Sequence, residues 1–323
     1  MLNLGGLLLG VWVGLSAIGQ GANETLRGAV EIHDPSSLVR CGNNYWVFGT
    51  GRGIISRYST NLVDWVEGPP VFTNSPMWAQ TWVPDHRGRF WAPDIVRLGE
   101  RYLLYYSVST WGSRQSAIGL AMTRSLDPGS PDYGWEDCGP VVRTTPQDAF
   151  NAIDPAVLPD RDGRLWLAFG SYWSGIKLIE LNPDTGLRRF TNSPPLALAW
   201  HESIEAACLL RQGQNYFLFV NWGKCCRGTN STYEIRVGRS RAVTGPYLDR
   251  NGADLLKGGG SPFLSTFGEC IGPGHAAFFQ RDGRTWLSFH YYNPARNGRG
   301  TLGLLPVDWD ADGWPVVRQQ QDR

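Results

Sequence analysis

The feature that most constrains the fold is a pattern that occurs five times along the chain. Each copy starts with a head residue, has a turn glycine eight or nine positions later, and opens a second strand with a bulky residue eleven positions after the head. Repeated short apolar strands separated by glycine turns are typical of propeller blades. The sequence therefore predicts an all-β fold, a five-bladed β-propeller. The five heads are Asp34, Trp91, Asp154, Glu205 and His275.

The spacing of the copies supports this prediction. Consecutive heads lie 57, 63, 51 and 70 residues apart. Four-stranded blades need about 40–50 residues each, so the chain accommodates five blades with inserted loops. A β-sandwich would explain the short strands but not a fivefold register. We expect residues 23–323 to form one catalytic propeller domain.

Residues 1–22 resemble a signal peptide. The stretch is apolar, carries no charge before Glu24, and has the small residues Ala17 and Gly19 near its end. The alternative is a single membrane anchor, but about 15 glycine-rich apolar residues fall short of the roughly 20 needed to span a bilayer. The sequence thus predicts a secreted, extracellular protein, cleaved near residues 19–22.

Charge and cysteine content exclude several classes of function. Thirty basic and 29 acidic residues leave a net charge of +1 with no long run of either sign, which argues against nucleic-acid and membrane-surface partners. The six cysteines fit no zinc pattern. Adjacent Cys225 and Cys226 could form a disulfide or stay reduced, and the sequence leaves both open. We expect a monomer.

The head residues predict a site on the propeller axis. The first strand of each blade lines the central channel, so the five heads should surround it and bring three carboxylates together. Buried carboxylates are costly unless they are paired or functional. Alternatively, Asp34 and Asp154 only cap turns before Pro35 and Pro155. A capping role would explain a single Asp-Pro pair. It explains less well two such pairs that occupy the same repeat position as a glutamate and a histidine.

Three carboxylates in a channel suit the hydrolysis of glycosidic bonds. An inverting glycosidase needs a carboxylate base to activate water and a protonated carboxyl to donate to the leaving oxygen, roughly 6.5–9.5 Å apart. A third carboxylate would raise the pKa of the acid by repulsion between like charges. Glu205 is the natural acid and the aspartate across the channel the natural base. Some of the fifteen tryptophans would offer flat faces to sugar rings.

Seven motifs in order resemble one known family. The resemblance spans about residues 30–310 and is to the endo-α-1,5-L-arabinanases of glycoside hydrolase family 43. The motifs are His33-Asp34-Pro-Ser, Trp91-Ala-Pro-Asp94, Phe150-Asn-Ala-Ile-Asp154-Pro, Phe169-Gly-Ser-Tyr-Trp-Ser-Gly175, Ser203-Ile-Glu205-Ala, Cys225-Cys-Arg-Gly-Thr-Asn-Ser-Thr-Tyr233 and Gly272-Pro-Gly-His275.

The resemblance implies a role for each carboxylate. Asp34 would be the general base, Asp154 would orient the acid and tune its pKa, and Glu205 would be the general acid. His275 would hold a single axial calcium ion (Ca²⁺) that is mostly water-coordinated. Calcium prefers oxygen ligands, so the alternative is that His275 shares protons with the carboxylates without a metal.

The resemblance also implies substrate contacts. Trp91 and Trp111 would stack on sugar rings, although many relatives have Phe where this chain has Trp111. Asp94 is expected to be structural, because it lies three residues beyond the head of its repeat. The other expected contacts are Asn151, Ser171, Tyr172 and Trp173.

Three functions follow as hypotheses. The first is endo-hydrolysis of linear α-1,5-arabinan, a side chain of plant cell-wall pectin. The second is an exo-acting α-L-arabinofuranosidase or β-xylosidase with the same chemistry. The third is a non-catalytic carbohydrate-binding propeller, which would be expected to lose the Asp/Asp/Glu set that this chain retains.

Overall fold

Five sheets, one for each sequence repeat, make up the structure. A computed structural model describes residues 25–318, so the expected signal peptide lies outside the described residues. Within each sheet, neighbouring strands are antiparallel and follow one another in sequence order from the inner to the outer strand. The exception is one short parallel strand at the edge of the first sheet. This is the predicted five-bladed β-propeller. Within residues 25–318, no helix has the length and apolar character needed to cross a membrane.

The strands follow the repeat order. Blade one contains Val39–Cys41, Asn44–Gly49, Ile55–Ser59 and Asp64–Gly68, with Arg27–Gly28 parallel at its outer edge. Blade two contains Arg89–Leu98, Arg101–Val108, Ser116–Thr123 and Glu136–Thr144, with Gly51–Arg52 beside its first strand. Blade three contains Ala156–Pro159, Leu165–Phe169, Ile176–Leu181 and Leu196–Ala199. Blade four contains Glu205–Gln212, Asn215–Trp222, Glu234–Ser240 and Ser261–Leu264. Blade five contains Ile271–Arg281, Arg284–Asn293, Arg299–Trp309 and Pro315–Val317.

The helices of the described residues are short and lie between strands. One α-helix spans Met77–Trp82. The 3-10 helices are Pro84–His86, Gly228–Asn230, Leu255–Lys257 and Pro294–Arg296.

The first hairpin of a blade turns at the predicted glycine. Cys41 pairs with Asn44 in blade one, so the connection holds only two residues. Gly42 in this turn has a φ of +58°, a conformation that residues with a Cβ rarely adopt. The turn glycine thus fixes where the first strand stops and the second begins.

The hydrophobic core consists of five clusters, and each lies between two neighbouring blades. Phe48 and Tyr106 belong to the cluster between blades one and two. Val47, Phe279 and Leu302 belong to the cluster between blades five and one, which closes the ring. Burying one such side chain contributes roughly 1.5–3 kcal/mol, so packing against its two neighbours stabilises each blade.

Backbone hydrogen bonds reinforce the closure. The Ile32 N–H donates to the Gly300 carbonyl at 3.0 Å, and the Leu302 N–H donates to the Val30 carbonyl at 2.9 Å. The segment that leads into blade one is therefore fastened to blade five, immediately before Asp34.

Candidate active site

One non-glycine residue in each blade has a left-handed backbone near the start of the first strand. Such residues are uncommon and carry a cost that surrounding contacts must offset. Their φ angles lie between 41° and 58°. They are Asp34, Ala92, Asp154, Ala206 and His275.

Side chains of the preceding blade hold these residues by their backbone N–H groups. The Asp34 N–H donates to His290 Nδ1 of blade five at 3.1 Å, and the Asp154 N–H donates to Ser107 Oγ of blade two at 2.9 Å. The Ala206 N–H donates to Asp154 Oδ2 at 3.1 Å. Each strained residue is therefore fixed by the blade beside it.

The heads do not all occupy this backbone position. Trp91 and Glu205 each precede the left-handed residue of their blade by one position, and the strand pairing shifts just after each of them. At each of these irregularities the first strand contains an extra residue that has no pairing partner on the second strand. The sequence-based register of eleven residues therefore differs from the backbone register by one in blades two and four.

Asp34 lies among three imidazoles. Its Oδ1 is 2.9 Å from His33 Nδ1, 3.5 Å from His275 Nδ1 and 3.7 Å from His290 Nδ1. Its Oδ2 accepts a hydrogen bond from the Thr50 hydroxyl at 2.5 Å. Burial acts to raise the pKa of Asp34, but His33, and after it His275 and His290, outweigh burial and hold that pKa well below its usual range. Asp34 is therefore a stable carboxylate anion.

Glu205 has the opposite electrostatic character. Burial raises the pKa of Glu205 to about 7, and the negative charge of Asp34 adds to this effect. The Tyr233 hydroxyl, which donates to Glu205 Oε1 at 2.7 Å, acts in the other direction. Glu205 can therefore carry a proton near neutral pH and release it.

Asp154 is buried beside both other carboxylates. Burial raises the pKa of Asp154 well above its usual range, and the charges of Glu205 and Asp34 raise it further. Burial is thus the leading cause of the raised pKa at both Asp154 and Glu205. This differs from the expectation that repulsion by Asp154 would be what raises the pKa of the acid.

Asp94 joins three blades. Its Oδ1 accepts from the Ser37 N–H at 3.0 Å, and its Oδ2 accepts from the Val157 N–H at 2.8 Å. Ser37 and Val157 each lie three residues after a candidate catalytic aspartate. Asp94 therefore contributes to the structure, as expected, by fixing the strands that carry Asp34 and Asp154.

A cleft of about 570 Å³ contains Glu205 and all six expected substrate contacts in its lining. Trp111 is 79% exposed, and its ring centroid lies 6.4 Å from that of Trp91. Tyr172 and Trp173 are also exposed. Flat apolar rings presented to solvent in a cleft suit stacking on sugar rings.

Asn151 and Ser171 have a different situation from the aromatic residues of the cleft. Both are buried, and the Asn151 amide donates to Ser171 Oγ at 2.8 Å. The Ser171 N–H in turn donates to Asn151 Oδ1 at 2.8 Å. These polar groups are therefore already hydrogen-bonded to each other, and the two residues form part of the cleft wall.

Sequence reasoning missed several residues around the carboxylates. Tyr233 ends the motif that begins at Cys225, and His33 precedes Asp34 in another motif, so both had a local signal. His290 and Tyr292 lie at the end of a blade-five strand with no such signal. Tyr292 Oη is 2.9 Å from His33 Nε2 and accepts from the Cys226 N–H at 2.6 Å.

The structure also answers the question about the adjacent cysteines. Cys225 and Cys226 form a disulfide with each other, and Cys225 lines the cleft. The remaining four cysteines, Cys41, Cys138, Cys208 and Cys270, are free.

The histidines around Asp34 could bind a metal only in part. His33, Asp34 and His290 each offer one ligand atom within 4.8 Å of the others, and His275 lies beside this group rather than in it. However, His290 Nδ1 accepts the Asp34 N–H, and His33 Nδ1 faces the Asp34 carboxylate. Burial lowers the pKa of His275, so its imidazole is neutral and can act as a ligand. His275 with an Asp34 oxygen fits an ion whose other ligands are water.

Comparison with known proteins agrees with this arrangement. The family described as Glycosyl hydrolases family 43 matches residues 28–315. An extracellular exo-α-(1→5)-L-arabinofuranosidase of Cellvibrio japonicus is 40% identical over 90% of this chain and 88% of its own length. An extracellular endo-α-(1→5)-L-arabinanase of Bacillus subtilis is 39% identical over 88% of this chain and 87% of its own.

A solved structure is similar over the same region. It is the α-L-arabinanase of Cellvibrio cellulosa in complex with arabinohexaose, with a TM-score of 0.85 and 40% identity over 90% of this chain and 96% of that one. The match of fold and sequence extends over all five blades. The chain therefore belongs to glycosyl hydrolases family 43 and is a glycoside hydrolase.

Proposed function

We propose that this chain hydrolyses α-1,5-linked L-arabinan with inversion at the anomeric carbon, using Asp34 as base and Glu205 as acid. One observation carries the proposal: two partly buried carboxylates, Glu205 in the cleft lining and Asp34 near enough to act on it, have pKa values moved in opposite directions. Such a contrast assigns acid and base roles in glycosidases. The residue roles implied by the resemblance agree with it.

The proposed step is a single displacement. The Asp34 carboxylate takes a proton from water as the water oxygen bonds to the anomeric carbon. The bond from that carbon to the glycosidic oxygen breaks, and Glu205 donates its proton to this leaving oxygen. The carboxylates end with exchanged protonation states, and exchange with solvent restores them.

Asp154 has a positioning role in this proposal. Its Oδ2 accepts the N–H of Ala206, the residue that follows Glu205, so it fixes the backbone from which the acid projects. Because the Asp154 and Glu205 carboxylates both have raised pKa values, a proton is favoured on this pair at neutral pH.

The names of the relatives support arabinan as the substrate and leave two modes of attack. We propose the endo mode, because the cleft that contains Glu205 adjoins a second cavity through Trp91, Ser109, Thr110 and Trp111. A groove of this kind accommodates a chain that extends past the cleaved bond. The exo mode is the second candidate, since the Cellvibrio japonicus relative is named as an exo enzyme.

The products formed from debranched linear arabinan test both points. An endo enzyme releases a ladder of oligomers early in the reaction, whereas an exo enzyme releases one short product from the start. Xylan is the control substrate, and the Glu205→Gln variant controls for contaminating activity. Absence of cleavage of arabinan by the wild-type protein would overturn the proposal.

We also propose that His275 and Asp34 hold a calcium ion with water as its remaining ligands. Such an ion would supply positive charge near the base. Binding can be measured without activity, by calorimetric titration of the chelated protein with Ca²⁺. The titration should show one site, which the His275→Ala variant lacks.

Export completes the proposal. The apolar segment of residues 1–22 and the word "extracellular" in the names of both curated relatives support secretion of the mature chain. Sequencing the N-terminus of protein from the culture medium tests it, and sedimentation of the same sample tests the expected monomer.

A further inference from the structure

The substrate cleft continues into two further cavities over blades one and two. The nearer one, of about 450 Å³, shares Trp91 and Trp111 with the cleft. The farther one, of about 600 Å³, shares Arg52, His86 and Arg87 with the nearer one. The three cavities therefore lie side by side in one series that extends beyond the tryptophans, and together they are called the groove.

Arginines dominate the charge of this extension. Arg52, Arg87 and Arg89 are exposed and line the nearer cavity. Asp85 is the one acidic residue among the described residues that line either extension. None of the three arginines forms an ion pair with a residue of the described segment 25–318.

The fold places two of these charges directly opposite each other. Strand Gly51–Arg52 runs antiparallel to the first strand of blade two, with Arg52 paired to Arg89. Like charges directly opposite on an antiparallel pair are destabilising. An anion bound between them would remove this repulsion, and a guanidinium group matches a carboxylate with two parallel hydrogen bonds.

A buried histidine lies in the same wall. His86 is 4% exposed and lines both extensions. Its Nδ1 accepts the Gly88 N–H at 3.2 Å, so Nε2 carries the hydrogen. Nε2 has no hydrogen-bond partner among the described residues. This nitrogen is itself buried, and burial lowers the pKa of His86, so the ring adds neither a positive charge nor an accessible donor to the wall.

We propose that this extension, defined by Arg52, Arg87 and Arg89, binds the carboxylates of a saccharide that contains uronic acids. The proposal rests on the proposed function in one respect, namely that a neutral saccharide occupies the cleft to which the groove connects. The arginines span two adjoining cavities, which suits repeated carboxylates along a chain better than a single small anion. The groove would thus favour arabinan that is still attached to an acidic polysaccharide.

Calorimetric titration of the complete protein with oligogalacturonate at low salt tests the proposal. The fully methyl-esterified oligomer is the matched ligand control, because it keeps the sugars and loses the charges. Monomeric galacturonate separates a groove for chains from a site for one anion. The test variant is Arg52→Gln/Arg87→Asn, in which asparagine suits the left-handed backbone of Arg87, whose φ is 51°. Arg89 stays unchanged because its charge acts on His33.

We expect the oligogalacturonate to bind, the ester and the monomer to bind at least tenfold more weakly, and the double variant to lose about tenfold in affinity. Added salt should weaken binding, because the contacts are exposed. The Arg241→Gln variant, which removes an exposed charge after the third strand of blade four, should bind as the wild type does. Absence of binding, equal binding of the ester or the monomer, or an equal loss in Arg241→Gln would overturn the proposal.

Cleavage of neutral linear arabinan by the same samples keeps the two proposals separate. Cleavage of arabinan without binding of oligogalacturonate overturns the proposed binding of uronic acids in the arginine-lined extension and leaves the proposed function standing. Binding without cleavage overturns the proposed function and leaves the groove.

Discussion

Replacing Tyr233 with phenylalanine should extend activity to higher pH. The Tyr233 hydroxyl donates to Glu205 Oε1 at 2.7 Å, and a donor stabilises the ionised form of a carboxyl. This hydrogen bond therefore opposes the effect of burial, and the pKa of Glu205 with the bond in place is raised to about 7. Removing it should raise the pKa of Glu205 further, so the proton needed by the leaving group persists to higher pH.

The magnitude follows from the strength of the lost contact. A hydrogen bond to a charged group contributes about 1.5–3 kcal/mol, and one pKa unit corresponds to about 1.4 kcal/mol. The full loss would move the pKa by about one to two units. Water entering the space of the hydroxyl would restore part of the bond, so we expect a shift of about one unit.

The measurement is the pH dependence of kcat/KM on linear arabinan. This quantity reports the pKa values of the free enzyme, and its alkaline limb should follow Glu205. Tyr247→Phe is the matched control, because its buried hydroxyl donates to the Val243 carbonyl in blade four. The control should leave the alkaline limb in place even if it lowers the free energy of unfolding.

The acid assignment depends on the direction of the shift. An alkaline limb that stays in place or moves to lower pH in Tyr233→Phe would refute the argument, provided that the variant unfolds at a normal temperature. A shift of equal size in Tyr247→Phe would show that a general loss of stability, not the hydrogen bond, moves the limb.

Three further predictions concern the other groups of the site. Glu205→Gln should abolish hydrolysis of arabinan yet leave an aryl arabinoside with a good leaving group partly cleavable. Asp34→Ala should abolish the hydrolysis of both substrates. If Glu205→Gln loses activity equally on the two substrates, Glu205 is not the acid. Asp94→Asn leaves one of the Ser37 and Val157 N–H groups without an acceptor. Urea unfolding should therefore show a free energy of unfolding lower by about 1–3 kcal/mol, and kcat should fall. The control variant Asp282→Asn, at an exposed position, should show neither effect. Chelation should lower the melting temperature of the wild type but not of His275→Ala, and an equal decrease in both would exclude His275 as a ligand.

The fold could be predicted because each blade repeats the same local signals. A turn glycine and the bulky residue that opens the next strand act on the residues beside them in the sequence, so each copy of the repeat can be recognised by itself. The left-handed residues cannot be predicted in this way. Ala92 and Ala206, for example, carry only a methyl side chain, which does not indicate a positive φ. Their conformation follows from the irregular pairing of the first strand and from side-chain acceptors in the preceding blade, Thr50 for Ala92 and Asp154 for Ala206.

The candidate site could be predicted only where its residues head the repeats. Asp34, Asp154 and Glu205 do so, whereas His290 reaches Asp34 from 256 residues away. The same holds for the arginine groove, since Arg52 and Arg89 come together only through a two-residue strand that pairs with blade two. Contacts of this kind depend on the closed ring and not on any local pattern.

The contrast between Asp34 and Glu205 shows what the closed ring contributes to chemistry. Burial acts to raise both pKa values, and only Asp34 has imidazoles near enough to reverse the effect. One of these imidazoles comes from the residue before it, and the other two, His275 and His290, come from blade five. The surroundings of Asp34, the proposed base, are therefore assembled across the junction where the two ends of the ring meet. That junction is packed by the cluster that includes Val47, Phe279 and Leu302 and by backbone hydrogen bonds, so its packing contributes, through His275 and His290, to keeping Asp34 ionised.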